Sequence, residues 1–151
     1  MSEPLGEVIG TFSAKKGQCG LPRPKVDFLK AIKDYGIEND KFALKDLNST
    51  VMIVGVYSYK QALKNGIDLQ EGSLGENILL SFNPHDLKEG TFLKVGDAVL
   101  QIIQKCTICN HLAIFGKNLP TVLEDCRGLY CKIVKSGKIK KGMSITKEVN
   151  I

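Results

Sequence analysis

The sequence lacks any long apolar run and has no basic segment near its first residue. No stretch approaches the roughly 20 consecutive apolar residues that a membrane-spanning helix needs. Residues 1–10 contain two glutamates and neither lysine nor arginine, a pattern unlike that of a secretory signal peptide. We therefore expect a cytoplasmic protein with no membrane partner.

The sequence also has few cysteines, no internal repeat and no low-complexity segment. Five cysteines are an odd number, and a cytoplasmic chain keeps its thiols reduced, so we expect no disulfide framework. A length of 151 residues is ordinary for one domain with a core of its own. The sequence thus predicts a single domain over residues 1–151.

Acidic residues are scarce in the C-terminal part of the chain. Lysine and arginine number 21 against 16 acids, a formal charge of +5, and seven basic residues lie between Arg127 and Lys147 with no acid. Either a solvated basic face or a site for a phosphate or other small anion would account for them. We do not expect nucleic acid as a partner, because there is no recognised binding motif and no run of aromatic residues among the lysines.

Residues 90–111 predict a β-hairpin that ends in two cysteines. Extended-type residues at 91–95 precede a turn at Gly96-Asp97, and an apolar run of strand length follows at 98–103. A run that is apolar throughout is typical of a strand buried on both faces. The second strand would therefore deliver Cys106 and Cys109 to its end on a rigid support.

The other segments predict a β-rich, barrel-like domain with a few short helices. Residues 26–35 fit a helix and an extended segment equally well. The sequence predicts strands over 5–13, 51–57 and 129–134 and a loop over 14–25. It also predicts a short helix that begins at an N-cap Ser58 and stops at Gly66.

Cys109 is the best candidate for a nucleophile or a soft metal ligand. If a helix begins at Asn110, its dipole together with Lys105 would favour the thiolate form of Cys109. A buried, inert cysteine is the alternative. His111 could exchange protons with the thiol or could be a structural histidine.

Four thiols within residues 106–131 raise the possibility of structural zinc. Cys106 and Cys109 have zinc-knuckle spacing, while Cys126 and Cys131 are more widely spaced than usual. Against zinc, Cys131 falls on the inward face of its predicted strand, where a core cysteine needs no metal.

Glu76 and Asn77 lie in a tight turn and directly follow two glycines, Gly72 and Gly75. An acid and an amide in such a turn either orient a polar ligand or hydrogen-bond the turn itself. The sequence leaves both roles open.

Several segments together resemble the MOSC domain family, named for the C-terminal part of molybdenum-cofactor sulfurase. They are EGSLGENI at 71–78, the hairpin GTFLKVGDAVLQIIQ at 90–104, CTICNHL at 106–112 and CRGLYCKIVKSGKIKKGM at 126–143, with SAKKG at 13–17 and GIEND at 36–40 similar to small stand-alone members. The chain differs from that pattern in having Asn39 in place of a glycine, Phe42 near the position of a histidine, Asn48-Ser49 in place of a His-Arg pair, and Met143 in place of an acid.

The resemblance implies a β-barrel fold and a site for molybdenum cofactor, without pyridoxal phosphate in this domain alone. It implies that Cys109 carries sulfur as a persulfide or ligates molybdenum, with Glu76 and Asn77 beside the cofactor. Basic side chains would bind the cofactor phosphate, and we expect these to be Lys16, Lys25 and Arg127. The implied partners are proteins of cofactor biosynthesis or electron transfer. A non-catalytic module, stabilised by zinc or acting as a degenerate partner-binding domain, is the competing hypothesis.

Overall fold

The computed structural model describes residues 4–18, 22–106, 114–124 and 126–148. Within these ranges the chain forms eleven strands and two α-helices. In chain order the elements are β1 (Pro4–Phe12), β2 (Lys25–Val26), β3 (Phe28–Ile32), β4 (Gly36–Ile37), β5 (Val51–Gly55), α1 (Val56–Lys64), β6 (Ile78–Leu80), β7 (Phe92–Val95), β8 (Ala98–Lys105), α2 (Leu119–Val122), β9 (Leu129–Lys135), β10 (Gly137–Lys140) and β11 (Ser144–Glu148).

Seven strands close into a barrel, which confirms the predicted fold class. The order around it is β1, β6, β5, β9, β8, β7 and β11, and β11 pairs again with β1. Strand β6 runs parallel to β5, and α1 lies in the connection between them. Strand β2 extends the sheet from β1, and β10, β3 and β4 form a separate three-stranded sheet.

Two hydrophobic clusters lie on opposite faces of β5. Val51 and Ile53 belong to the barrel interior, whereas Met52 and Val54 belong to an outer cluster that includes residues of α1 and α2. Because successive side chains of a strand point to opposite faces, a strand that is buried at every position must be covered on both sides. The candidate site lies on the outer side, among the loops that adjoin this second cluster.

The hairpin is confirmed, with β7 and β8 paired from Phe92↔Gln101 to Val95↔Ala98. Residues 26–35, which the sequence left open, contain the strand β3. The glycine stop of α1 is also confirmed: the helix ends at Lys64, and Gly66 follows with a φ of 82°.

The predicted start of α1 is wrong. The strand ends at Gly55 and the helix begins at Val56, so Gly55 occupies the N-cap position and Ser58 lies inside the helix. Ser58 is buried there, and its hydroxyl donates to the carbonyl of Cys126 instead of capping the helix. A long-range hydrogen bond thus replaced the local one that the sequence suggested.

The helix that the sequence suggests from Asn110 would begin outside the described residues. Within the described ranges, neither helix is long and apolar enough to cross a membrane.

Candidate functional site

Pairing between β8 and β9 places Cys106 beside the segment that precedes β9. Lys105 pairs with Leu129, and the Cys106 N–H donates to the Gly128 carbonyl at 2.9 Å, which continues the pairing one step further. The hairpin strand therefore does deliver Cys106 to a fixed position. That position is next to Arg127, which directly precedes Gly128.

Arg127 is almost completely buried, with 8% of its surface exposed. Its Nη1 donates to Cys106 Sγ at 2.8 Å, and its Nη2 donates to the Leu74 carbonyl at 3.0 Å. One guanidinium thus joins the end of β8 to the turn at residues 71–77. A planar group with several fixed donors is suited to such double recognition, which lysine could not reproduce.

Tyr130 also contacts the Cys106 sulfur, with which its hydroxyl forms a hydrogen bond. Burial, followed by a hydrogen bond with Cys106, raises the pKa of Tyr130 to about 12, while the charges of Arg127 and Arg23 oppose the shift. The phenol therefore stays protonated at neutral pH and can act as a hydrogen-bond donor. The sulfur of Cys106 is accordingly bordered by a guanidinium and by a neutral phenol.

Glu76 is fully buried beneath the turn at 71–77. Its Oε2 accepts a hydrogen bond from the Tyr59 hydroxyl at 2.6 Å and one from the Gly72 N–H at 3.3 Å. Burial raises the pKa of Glu76, and the hydrogen bonds to its carboxylate only partly offset this. The other oxygen, Oε1, is buried and has no hydrogen-bond partner among the described residues.

Tyr59 connects α1 to the same turn. Its hydroxyl oxygen accepts from the Gly72 and Leu74 N–H groups at 3.1 and 3.3 Å while donating to Glu76. Burial first, and then the nearby carboxylate, raise the pKa of Tyr59 far above its usual value. The backbone of the turn is thereby fixed to the helix.

Asn77 holds backbone segments together. Its Oδ1 accepts from the Met52 N–H at 3.0 Å, and its Nδ2 donates to the Phe12 carbonyl at 3.1 Å and to Asp40 Oδ1 at 3.5 Å. Of the two roles that the sequence left open, the observed contacts are those of an amide that fixes the turn against β1 and β5.

Arg23 is a site residue that the sequence analysis missed. Its side chain is only 10% exposed, its Nη1 lies 3.6 Å from Asp40 Oδ1, and its guanidinium stacks on the Phe42 ring at 4.9 Å from the centroid. Burial lowers the pKa of Arg23, opposed by the charges of Asp40 and Glu76. Nη1 is buried without a hydrogen bond to the described residues. In the sequence, the available signal for a fixed position of Arg23 was its place between Pro22 and Pro24, because prolines restrict the backbone.

Asp40 and its neighbours account for two departures from the family pattern. Asp40 accepts from the Ser13 hydroxyl at 2.7 Å and from the Phe42 N–H at 3.0 Å. Asn39 adopts a φ of 67°, the conformation that a glycine there would supply and that asparagine tolerates well. The Phe42 ring packs against the Arg23 guanidinium in a cation–π contact, which requires no hydrogen bond.

The two predicted phosphate-binding lysines lie at the surface. Lys16 is exposed in the turn after β1, and Lys25 on β2 is 60% exposed with its amine 4.0 Å from Glu71. Cys109 and His111 lie outside the described residues. The structure therefore brings together Glu76, Asn77 and Arg127 and adds Arg23, Tyr59, Cys106 and Tyr130 to them.

The geometry does not favour a four-thiol zinc site. Cys131 belongs to the barrel interior, whereas Cys106 and Cys126 belong to the outer cluster on the opposite face of the sheet. Across the described part of the chain, no three histidine, cysteine, aspartate or glutamate side chains are grouped so that they could hold a metal ion. Cys131 therefore cannot share a zinc ion with Cys106 and Cys126.

Comparison with known proteins identifies relatives of the whole fold. The profile of the MOSC domain matches residues 45–146. The YuaD protein from Bacillus subtilis is similar in structure, with a TM-score of 0.75 and 19% identity over 99% of this chain and 100% of that one. YiiM from Escherichia coli has a TM-score of 0.73 and 13% identity over 98% of this chain and 72% of that one. No curated protein sequence matches this chain.

Proposed function

Since the chain belongs to the MOSC domain family, we propose that it binds molybdenum cofactor or handles the sulfur of that cofactor, with Cys109 as the functional thiolate. The observation that supports this most directly is the buried cluster of Arg127, Cys106 and Glu76, with the Arg23–Asp40 pair beside the same turn at 71–77. Such a cluster is costly to bury unless a ligand or a reaction requires it.

The residues present fit the chemical groups of a pterin phosphate. Arg23 Nη1 is a buried donor and Glu76 Oε1 a buried acceptor, and neither has a hydrogen-bond partner among the described residues. A phosphate or a ring carbonyl would satisfy the first, and a ring N–H or amino group would satisfy the second. When bound, the cofactor supplies a molybdenum centre for oxygen-atom or sulfur chemistry.

The chain itself would bind and orient this group. Arg127 and Arg23 offer charge to the phosphate from inside the site, and Lys16 and Lys25 would approach it from the surface. Glu76 and Asn77 would hold the turn in place, and Glu76 would offer Oε1 to the ring. His111 would exchange a proton with the Cys109 thiol.

Cys109 follows Cys106 by three residues in the sequence, and this short separation supports a role for Cys109 at the same site. The reducing cytoplasm would keep that thiol available, and proteins that make the cofactor or deliver electrons would be the partners.

Elemental and pterin analysis of the purified protein tests the proposal. Prepared from a host that makes the cofactor, the wild type should contain molybdenum and pterin, or sulfur released by cyanide, and Cys109→Ala should lose it. Cys19→Ala is the matched control, because Cys19 lies outside the sequence segments that resemble the family, and it should retain the wild-type content. Stoichiometric zinc in place of molybdenum, or equal retention in both variants, would contradict the proposal.

A further inference from the structure

Cys106 is in a different chemical setting from the other cysteine of the same strand pair. Its sulfur receives a hydrogen bond from the Arg127 guanidinium at 2.8 Å and lies against the Tyr130 hydroxyl. Cys131, by contrast, is completely buried among aliphatic side chains, and burial raises the pKa of its thiol well above the usual range. A charged donor directed at a sulfur stabilises negative charge that develops there. Only Cys106 of these two has the surroundings of a nucleophile.

A second observation points to an anion beside this sulfur. Arg23 adjoins the same turn as Arg127, because the Arg23 N–H donates to the Gly72 carbonyl at 3.0 Å while Arg127 Nη2 donates to the Leu74 carbonyl at 3.0 Å. Arg23 Nη1 is buried without a hydrogen bond to the described residues, and Asp40, 3.6 Å away, already accepts from Ser13 and from the Phe42 N–H. Two guanidiniums held near each other repel, and an anion between them would remove that repulsion.

The size and charge of the ligand follow from the same residues. Cys106 is 6% exposed, so only a small reagent can reach its sulfur. Two arginines favour an anion with spread negative charge. Burial raises the pKa of Glu76, which reduces the negative charge that would oppose such an anion. A small oxyanion that carries a transferable sulfur meets these conditions, and thiosulfate is the simplest.

We propose that Cys106 accepts a sulfur atom from a small anionic sulfane-sulfur donor of the thiosulfate type, held by Arg23 and Arg127. The Cys106 thiolate attacks the outer sulfur of thiosulfate and forms a new S–S bond. The S–S bond of the donor breaks, and its electron pair leaves with sulfite, so no oxidant or reductant is needed. The products are a Cys106 persulfide and sulfite, and the guanidiniums stabilise the departing charge. This inference rests on the proposed function, since it assigns the sulfur source of the same site.

Persulfide mapping of the intact protein tests this step. The full-length chain, purified without cofactor, is incubated with thiosulfate; sulfite release and cyanide-labile sulfur are measured, and tandem mass spectrometry locates the added sulfur. We expect one sulfur atom on Cys106 and an equal amount of sulfite. Cys106→Ser should abolish both, and Cys19→Ser should leave both unchanged.

Variants of the two arginines test the anion site. Loss of one charge-assisted hydrogen bond corresponds to about 1.5 to 3 kcal/mol, so Arg127→Lys should slow persulfide formation by about 10- to 100-fold. Arg23→Lys should slow it as well, and Lys135→Met, at an exposed position of β9, should not. Circular dichroism of each variant checks that it is folded.

Two results would overturn the inference. The first is sulfur found on Cys109 or Cys19 of the wild type with none on Cys106, a measurement that needs no variant to fold. The second is persulfide formation as fast in Arg23→Lys and Arg127→Lys as in the wild type. Either result leaves the proposed function standing if molybdenum or pterin is still lost with Cys109→Ala, so the two failures can be told apart.

Discussion

At the scale of single residues, the site is defined by charged side chains that are buried together. Glu76 is fully buried and Arg127 nearly so, and each is held by specific hydrogen bonds to the turn at 71–77. Burying a charge is unfavourable unless it is paired or neutralised. Burial accordingly favours the protonated form of Glu76 and raises its pKa.

The raised pKa of Glu76 predicts a pH-dependent contribution to stability. The folded state binds a proton at this group more tightly than the unfolded chain does, so the contribution is complete below the ordinary pKa of 4.5 and is lost as pH rises through the raised value. Glu76→Gln cannot titrate and should lack this loss. The free energy of unfolding of the variant minus that of the wild type should therefore be larger at about pH 8 than at about pH 4.5. Urea unfolding of both proteins measures this difference.

Glu71→Gln is the matched control for this prediction. Glu71 lies at the start of the same turn, but it is exposed and pairs only with Lys25 at the surface. Its replacement should leave the pH dependence of unfolding unchanged. Parallel stability curves for the wild type and Glu76→Gln across this pH range would show that Glu76 ionises as freely as a surface acid.

At the scale of elements, the turn at 71–77 joins α1, the loop that carries Arg23, and β6. Gly72 has a φ of 93°, its N–H donates to Tyr59 and Glu76, and its carbonyl accepts from the Arg23 N–H at 3.0 Å. A Cβ at this position would lie 2.7 Å from the Arg23 carbonyl oxygen. Glycine is therefore required both for the backbone conformation and for the close approach of the Arg23 loop.

Gly72→Ala should accordingly destabilise the protein more than Gly66→Ala does. Gly66 also has a positive φ, 82°, but a Cβ there would meet nothing within 4 Å. Both variants carry the conformational cost of about 1 to 2 kcal/mol, while only Gly72→Ala adds a steric cost of about 1 to 3 kcal/mol. Denaturant unfolding measures the difference, and equal losses would mean that the Arg23 loop shifts without cost.

At the scale of the whole molecule, the barrel and the site use different faces of the same strands. Interior residues such as Leu100 and Ile102 fill the closed barrel, and the outer cluster with α1 and α2 supports the loops of the site. Strand β8 has an interior face that stabilises the fold and an end that carries Cys106. Damage to the barrel interior should therefore affect stability before it affects the chemistry of the site.

Leu100→Ala should lower the free energy of unfolding by about 2 to 5 kcal/mol, because it removes a fully buried side chain from the barrel interior. Leu63→Ala is the matched control. Leu63 is 59% exposed on α1, so its replacement should change stability by no more than about 0.5 kcal/mol. Thermal or urea unfolding compares the two, and similar losses in both would contradict the two-cluster description of the core.

The sequence by itself determined the elements whose patterns are local. The apolar run at 98–103 with its Gly96-Asp97 turn predicted the β7–β8 hairpin, and the alternation at 129–134 placed Cys131 on an inward face, because both depend only on neighbours along the chain. The family motifs likewise pointed to Glu76, Asn77 and Arg127, which the structure places in and against the turn at 71–77, while their binding role stays a prediction. Cys109 and His111, predicted from the same motifs, remain predictions.

Only the tertiary structure decided which of these side chains meet. Local rules assigned Ser58 to a helix cap, yet its hydroxyl donates to the Cys126 carbonyl, 68 residues away. The family resemblance implied Lys16 and Lys25, which lie at the surface, whereas Arg23 is a further cation that folding buries beside Asp40, Phe42 and the turn at 71–77. Burial and long-range hydrogen bonds are properties of the closed barrel and its loops, so no pattern of neighbouring residues could reveal that Cys106 would lie against Arg127 and Tyr130.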